Sequence, residues 1–170
     1  MVAGGVGEGD GYGGYRSRLV ETLQQKGIRN LAVLRAIGTV PRHLFVPASV
    51  RHRAYEDTAL PIAGGQTISQ PWVQARYLEL AALSGRERVL EVGAGSGYQT
   101  ALLALLADAV FAVERIPALA QSARTAPKSA DTGTRCDARA PLRTSAPCSA
   151  SMAVTSSRTS ASSRPTSAVP

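Results

Sequence analysis

A run of alternating glycines carries the first sign of chemistry in this 170-residue chain. The segment 91–97, EVGAGSG, follows a short apolar stretch and precedes residues 98–107, which have a helical pattern. A glycine turn between a strand and a helix lets a ligand approach the backbone, and the helix N-terminus adds free N–H groups with partial positive charge. Glu114 comes 21 residues after Gly93, near the spacing of about 20 at which nucleotide folds place an acid against the ribose hydroxyls. The pattern indicates a ligand that contains adenosine.

The position of the third glycine separates two classes of cofactor. The dinucleotide fingerprint G-x-G-x-x-G places its last glycine where this chain has Tyr98, and a tyrosine obstructs the close packing of helix on strand. A nicotinamide-binding oxidoreductase is therefore disfavoured. Glu91 suits a cofactor with an ammonium and a sulfonium better than one with a pyrophosphate. The candidate cofactor-binding residues are Glu91, Gly93, Ala94, Gly95, Ser96, Gly97 and Glu114. A turn whose glycines serve geometry alone is the alternative.

Short elements must position this turn. Apolar periodicity and capping residues predict helices over 17–26, 71–83, 98–107 and 117–124, a further short helix after the N-cap Asn30, and strands over 88–92 and 110–113. The helix at 71–83 is predicted to face the core with Val73, Tyr77, Leu80 and Ala81. Residues 55–69, with a proline and a Gly-Gly pair, are expected to form an irregular loop. Strand, glycine turn, helix and strand together predict the beginning of a parallel, doubly wound α/β sheet.

A second segment is more specific than the glycine run. Residues 61–71, PIAGGQTISQP, resemble the signature of protein-L-isoaspartate O-methyltransferases, and 42–47 (RHLFVP), 91–101 (EVGAGSGYQTA) and 114–119 (ERIPAL) agree with that family. The resemblance covers about residues 16–124. It implies the N-terminal part of a Rossmann-like S-adenosylmethionine-dependent methyltransferase fold. It also implies methyl transfer from S-adenosyl-L-methionine to the free α-carboxylate of an L-isoaspartyl residue in a damaged protein or peptide, for repair through a succinimide.

The same resemblance implies which residues meet the substrate. Ser69 is expected in the active site, where its hydroxyl would hold the substrate carboxylate near the methyl group. Gln66 and Thr67 would help to define the substrate pocket. A carboxylate is already ionised at neutral pH, so catalysis would consist of alignment and exclusion of water rather than of general-base chemistry. The alternative for Ser69 is an N-cap of the helix that begins at Pro71.

The last 46 residues have a different composition from the rest. Residues 125–170 contain 17 Ser or Thr and no aromatic residue, and they contribute +4 of the net charge of +7. Such a segment cannot bury enough apolar surface to offset its ordering entropy. A basic tail without stacking aromatics does not indicate nucleic-acid binding. Both cysteines, Cys136 and Cys148, lie here at a spacing that predicts neither a metal site nor a disulfide framework.

Three regions are therefore expected: a flexible Gly-rich leader over 1–14, a partial methyltransferase domain over 15–124, and a disordered low-complexity tail over 125–170. Since the resemblance stops near Arg124, the tail is interpreted as the product of a truncation or frameshift. That leaves one edge of the strand at 88–92 without its expected partner, so an inactive, poorly soluble remnant is the second hypothesis. No apolar stretch reaches the roughly 18 residues of a membrane span, and a cytoplasmic monomer is expected.

Overall fold

A computed structural model of the chain describes residues 11–125 and 151–155. The helices are α1 Gly13–Gln25, α2 Leu31–Thr39, α3 Pro71–Ala81, α4 Tyr98–Ala104 and α5 Pro117–Thr125. The strands are β1 Leu60–Pro61, β2 Thr67–Ile68, β3 Arg88–Val92, β4 Ala109–Val113 and β5 Ser151–Thr155. Short 3-10 helices lie at Arg42–Phe45, Ala48–Arg53 and Ala63–Gly65. None of the helices in the two described ranges is both long and apolar enough to cross a membrane.

The larger sheet has three strands in the order β4-β3-β5. β3 and β4 are parallel, with Val89 opposite Val110, and α4 connects them. This arrangement confirms the predicted strand, glycine turn, helix and parallel strand. In a parallel pair the carboxyl ends of the strands meet at one edge, which brings the turn after β3 and Glu114 after β4 to the same place.

The other edge of β3 was expected to have no partner, and that expectation is wrong. β5 pairs with it antiparallel, with Val154 opposite Val89. The edge of a sheet offers backbone N–H and C=O groups whatever the side chains of the pairing segment, so a composition argument could not find this strand. The predictions of a flexible leader and a disordered tail fall mainly on residues 1–10, 126–150 and 156–170, which lie outside the described residues.

The core lies on one face of this sheet. Val89 and Val110 are buried there against Leu102 and Leu103 of α4, and the cluster continues into the packed faces of α1, α2 and α3. On the opposite face, Leu90 is 41% exposed. A doubly wound sheet normally carries helices on both faces, so the described residues complete one of its two layers.

The first two helices differ in how well their beginnings were predicted. α2 begins as predicted, because the Asn30 side chain accepts hydrogen bonds from the N–H groups of Ala32 and Val33. α1 begins at Gly13, four residues before the predicted start. Tyr12 stacks on the His43 ring at 4.1 Å, and this tertiary anchor lets the helix extend through two glycines that have low helix propensity.

α3 presents a different face to the core from the one predicted. Its buried residues are Pro71, Gln74, Ala75 and Leu78. Tyr77 and Leu80 are 52% and 64% exposed. The sequence misled because the buried stripe contains a polar residue, Gln74, which is satisfied inside the protein by Arg42. The helix ends earlier than predicted, at Ala81, and is followed by the C-cap Ala82, whose backbone is left-handed with φ 48°.

Candidate functional site

The segment that carries Gln66, Thr67 and Ser69 is a small β-hairpin rather than the irregular loop expected. β1 and β2 pair antiparallel, with Leu60 opposite Ile68, and the 3-10 turn Ala63–Gly65 joins them. Gln66 and Thr67 are exposed at the hairpin, and Ser69 is half-buried at its base. Its Gly-Gly pair occupies left-handed backbone, φ 67° and 65°, which glycine adopts without steric cost.

The tip of this hairpin touches the glycine turn. A Cβ built on Gly95 would lie 3.7 Å from Cδ1 of Ile62 in the hairpin. A Cβ on Gly64, at the tip, would lie 3.3 Å from Cγ2 of Ile116, two residues beyond Glu114. The structure therefore brings together the two segments that the sequence analysis assigned to substrate and to cofactor.

The turn itself requires its glycines. Gly93, Gly95 and Gly97 all have positive φ, between 57° and 89°, where L side chains are strained. The N–H groups of Gly93 and Ala94 both donate to the carbonyl of Val113 on β4, at 2.8 and 3.2 Å. These bonds fix the turn to the end of the neighbouring strand.

Glu114 lies across the turn. One carboxylate oxygen accepts the Gly95 N–H at 2.9 Å, and the other accepts the Ile116 N–H at 2.8 Å. The residue is buried. Because each carboxylate oxygen has two lone pairs, the group keeps acceptor capacity for a further donor such as a ribose hydroxyl.

Glu91 is held on the inner face of β3. It is 4% exposed, and it accepts a hydrogen bond from the Thr100 hydroxyl of α4 at 2.5 Å. Burial raises the pKa of Glu91 to about 7; the Thr100 hydrogen bond opposes this effect and the negative charge of Glu114 adds to it. The carboxyl therefore changes charge near neutral pH.

Ser69 does not cap α3. The N-cap of that helix is Gln70, whose side chain makes no capping bond. Asp57 supplies the acceptor instead, since its Oδ1 takes the Trp72 N–H at 2.8 Å while its other oxygen pairs with Lys26. The capping alternative for Ser69 is therefore wrong, and its hydroxyl has no hydrogen bond to the rest of the chain that the structure describes.

Arg42 is the residue of this region to which the sequence analysis gave no role. Its side chain is fully buried, and it donates to the Ser69 carbonyl at 2.7 Å and to Gln74 Oε1 at 2.8 Å. Its guanidinium carbon lies 4.7 Å from the centre of the Tyr98 ring, at the start of α4. An arginine in an apolar segment between two prolines was the available signal. Among residues 11–125 no cluster of side chains suits a metal ion.

Known proteins of one family are similar to this chain over the residues that form the site. The family model for protein-L-isoaspartate(D-aspartate) O-methyltransferase matches residues 8–138. Proteins named protein-L-isoaspartate O-methyltransferase from Chromohalobacter salexigens and Hahella chejuensis are each 56% identical, over 108 and 110 residues. Each match covers 64% of this chain, but 47% and 52% of the respective relative. The chain therefore spans about half the length of the curated relatives it matches.

Two solved structures agree with the fold. A protein-L-isoaspartate O-methyltransferase has a TM-score of 0.56 at 29% identity, over 64% of this chain and 37% of that one. A Plasmodium falciparum protein, described as a putative member of that class in complex with S-adenosyl-L-homocysteine, has a TM-score of 0.53 at 27% identity, over 64% and 53%. These matches confirm the predicted Rossmann-like methyltransferase fold class.

Proposed function

Since this chain belongs to the protein-L-isoaspartate O-methyltransferase family, we propose that it transfers a methyl group from S-adenosyl-L-methionine to the free carboxylate of L-isoaspartyl residues in damaged proteins, for repair. The observation that carries the proposal is the contact between hairpin and glycine turn, Ile62 against Gly95 and Gly64 against Ile116. A substrate on one segment and a cofactor on the other would then be neighbours.

The glycine turn fits the adenosine end of the cofactor. Positive φ at Gly93, Gly95 and Gly97 lets the backbone of the turn bend in a way that L side chains would strain. Glu114 ends β4 beside it and can accept hydrogen bonds from ribose hydroxyls. The other assigned residues are Ala94 and Ser96 in the turn and Glu91 behind it. Support comes also from the S-adenosyl-L-homocysteine in the Plasmodium falciparum relative.

The chain's own chemistry in this proposal is alignment. S-adenosylmethionine, when bound, supplies an electrophilic methyl group on a sulfonium. The substrate carboxylate is ionised at neutral pH and needs no base. Ser69, whose hydroxyl makes no other hydrogen bond among the described residues, donates to that carboxylate, and Gln66 and Thr67 line its approach. Holding the reacting atoms in line and away from water accounts for the acceleration.

We infer further that the protein works in the cytoplasm as a monomer. S-adenosylmethionine is an intracellular metabolite, and one chain carries both the hairpin and the turn, so the site needs no residue from a second copy. The partners are then proteins or peptides that contain isoaspartyl residues. An inactive remnant is the second candidate, favoured by the exposure of Leu90, an apolar residue of β3 on the face opposite the core, which is 41% exposed.

Methylation of an isoaspartyl peptide by the purified chain tests the proposal, with the same peptide containing ordinary aspartate as the substrate control. Ser69→Ala is expected to lower kcat/KM about 10- to 100-fold, because it removes a hydrogen bond to a charged group. Its affinity for S-adenosylhomocysteine, measured by calorimetry, should not change. Ser17→Ala, at an exposed serine of α1, is the matched control. If the unaltered chain neither binds S-adenosylhomocysteine nor methylates the peptide, the remnant hypothesis replaces this one.

A further inference from the structure

Arg42 joins three parts of the chain that are distant in sequence. It lies in the 3-10 helix Arg42–Phe45 and is fully buried. One terminal nitrogen donates to the carbonyl of Ser69 at the base of the hairpin, and the other donates to Gln74 on α3. Its guanidinium also lies over the ring of Tyr98, the first residue of α4 after the glycine turn. One side chain thus contacts the substrate segment and the start of the helix that follows the cofactor turn.

Arg42 has no direct ion-pair partner among the described residues, and the charge of Asp57 acts on it only from a longer distance. In the part of the chain that the structure describes, no carboxylate forms an ion pair with it. Its Nε and the Tyr98 hydroxyl are both buried without a hydrogen bond of acceptable geometry. A buried cation of this kind is costly unless it has a compensating role. A neutral side chain would cost less free energy to bury if packing alone were required.

We propose that Arg42 is a positioning residue, which fixes the Ser69 end of the hairpin at a set separation from the start of α4 and hence from the glycine turn. The inference rests on the proposed function for its catalytic meaning, but the tether itself is a property of the folded chain. The rings of Tyr98 and Phe45 pack in an edge arrangement with their centroids 5.4 Å apart. The ring on which the Arg42 guanidinium lies is therefore itself held by packing.

The planar guanidinium of Arg42, rather than its charge, fixes the position of the Ser69 end of the hairpin. Two donors at a fixed angle meet two acceptors on different elements, and the flat face stacks on an aromatic ring; a lysine ammonium can do neither in this way. The competing explanation is that the uncompensated charge attracts the substrate carboxylate. Two variants separate the explanations. Arg42→Lys keeps the charge and loses the fork, while Gln74→Glu keeps an acceptor for the fork and neutralises the charge.

Hydrogen exchange of the full chain is the primary test, because it needs neither cofactor nor activity. Arg42→Lys is expected to speed amide exchange over residues 67–70 by about tenfold, the loss of a hydrogen bond from a charged donor. Exchange over 33–37 in α2, to which Arg42 donates no hydrogen bond, should stay as in the unaltered chain. Gln74→Glu should leave both segments unchanged. If Arg42→Lys speeds exchange throughout the chain, or does not speed it at 67–70, the proposed positioning role of Arg42 is wrong.

Kinetics then distinguish the tether from the charge. In Arg42→Lys, kcat for isoaspartyl peptide should fall about tenfold through lost alignment, while calorimetry with S-adenosylhomocysteine gives the original affinity. If Gln74→Glu instead raises the KM for the peptide and Arg42→Lys leaves kcat intact, the charge explanation is right and the proposal is wrong. Should the unaltered chain fail to methylate, the proposed function fails while the exchange data still decide whether Arg42 is a tether.

Discussion

Replacing Glu91 by Gln tests how burial controls charge behind the glycine turn. The residue lies on the inner face of β3 and is 4% exposed. Burial is the main cause that raises its pKa to about 7, from an ordinary value of 4.5. Glutamine has nearly the same shape and can still accept the Thr100 hydrogen bond, so the substitution removes the titration and little else.

The size and sign of the effect follow from proton linkage. Because the folded state binds the proton more tightly than the unfolded state, the contribution of Glu91 to stability is complete below pH 4.5 and is lost as pH rises to about 7 and beyond. A shift from 4.5 to about 7 corresponds to roughly 3 kcal/mol, at about 1.4 kcal/mol per pH unit. The free energy of unfolding of Glu91→Gln, relative to the unaltered chain, should therefore improve by that order between pH 4.5 and pH 8.

Urea unfolding at a series of pH values measures this difference. Trp72 is the single tryptophan of the chain, and it sits at the packed start of α3, so its fluorescence reports unfolding directly. Glu56→Gln serves as the control for removing an exposed carboxylate, since Glu56 forms a surface ion pair with Arg53. Curves for Glu91→Gln and the unaltered chain that remain parallel from pH 4.5 to 8 would refute the reasoning, because Glu91 would then not titrate in that range.

Two further substitutions, together with one control substitution, test the contacts that support the site. Gly97→Ala should destabilise the fold by about 2 kcal/mol, because φ of Gly97 is 85° and the new Cβ would lie 3.1 Å from Cα of Ala123. Gly38→Ala lies in α2, where the new Cβ would make only an ordinary van der Waals contact, so it should stabilise the fold by about 0.5–1 kcal/mol. The midpoints of urea unfolding compare the two variants. Asp57→Ala should cost about 1–2 kcal/mol by leaving the Trp72 N–H uncapped. Burial raises the pKa of Asp57, but hydrogen bonds from a lysine and from α3 lower it to a net value below 3.8, so this cost should persist at neutral pH and shrink as acid titration goes below pH 3.8. A cost that is equal at pH 3 and pH 7 would contradict it.

Local signals in the sequence were enough to predict the turn and the elements beside it. β3 has the predicted bounds, β4 is one residue longer, and Asn30 caps α2 as expected. These features depend on short-range rules: alternation of apolar residues, a capping side chain, and glycines where φ is positive. The family motif at 61–71 singled out the segment proposed to meet the substrate, but periodicity did not reveal that it forms a hairpin, since each strand has only two residues.

Tertiary partners decided what the sequence could not. α3 buries Gln74 and exposes Leu80 because Arg42 reaches Gln74 from a distant segment, and a hydropathy stripe treats that glutamine as an outward position. Asp57 caps α3 from 15 residues away, where a local capping rule looks only at Ser69 or Gln70. In each case a long-range hydrogen bond overrides the short-range pattern.

The contacts that set the site all lie on the covered side of the sheet. Arg42, Tyr98 and the hairpin belong to the same buried cluster or border it, whereas Leu90, on the opposite face of β3, is 41% exposed. A change on the Leu90 face can alter the free energy of unfolding of the whole unit, but it removes no contact between hairpin and turn. A ligand that touches both segments binds only the folded chain and so raises the fraction that is folded. The geometry of the site and the stability of the domain are therefore separable in this chain. As denaturant is added, activity should be lost together with global unfolding and not before it.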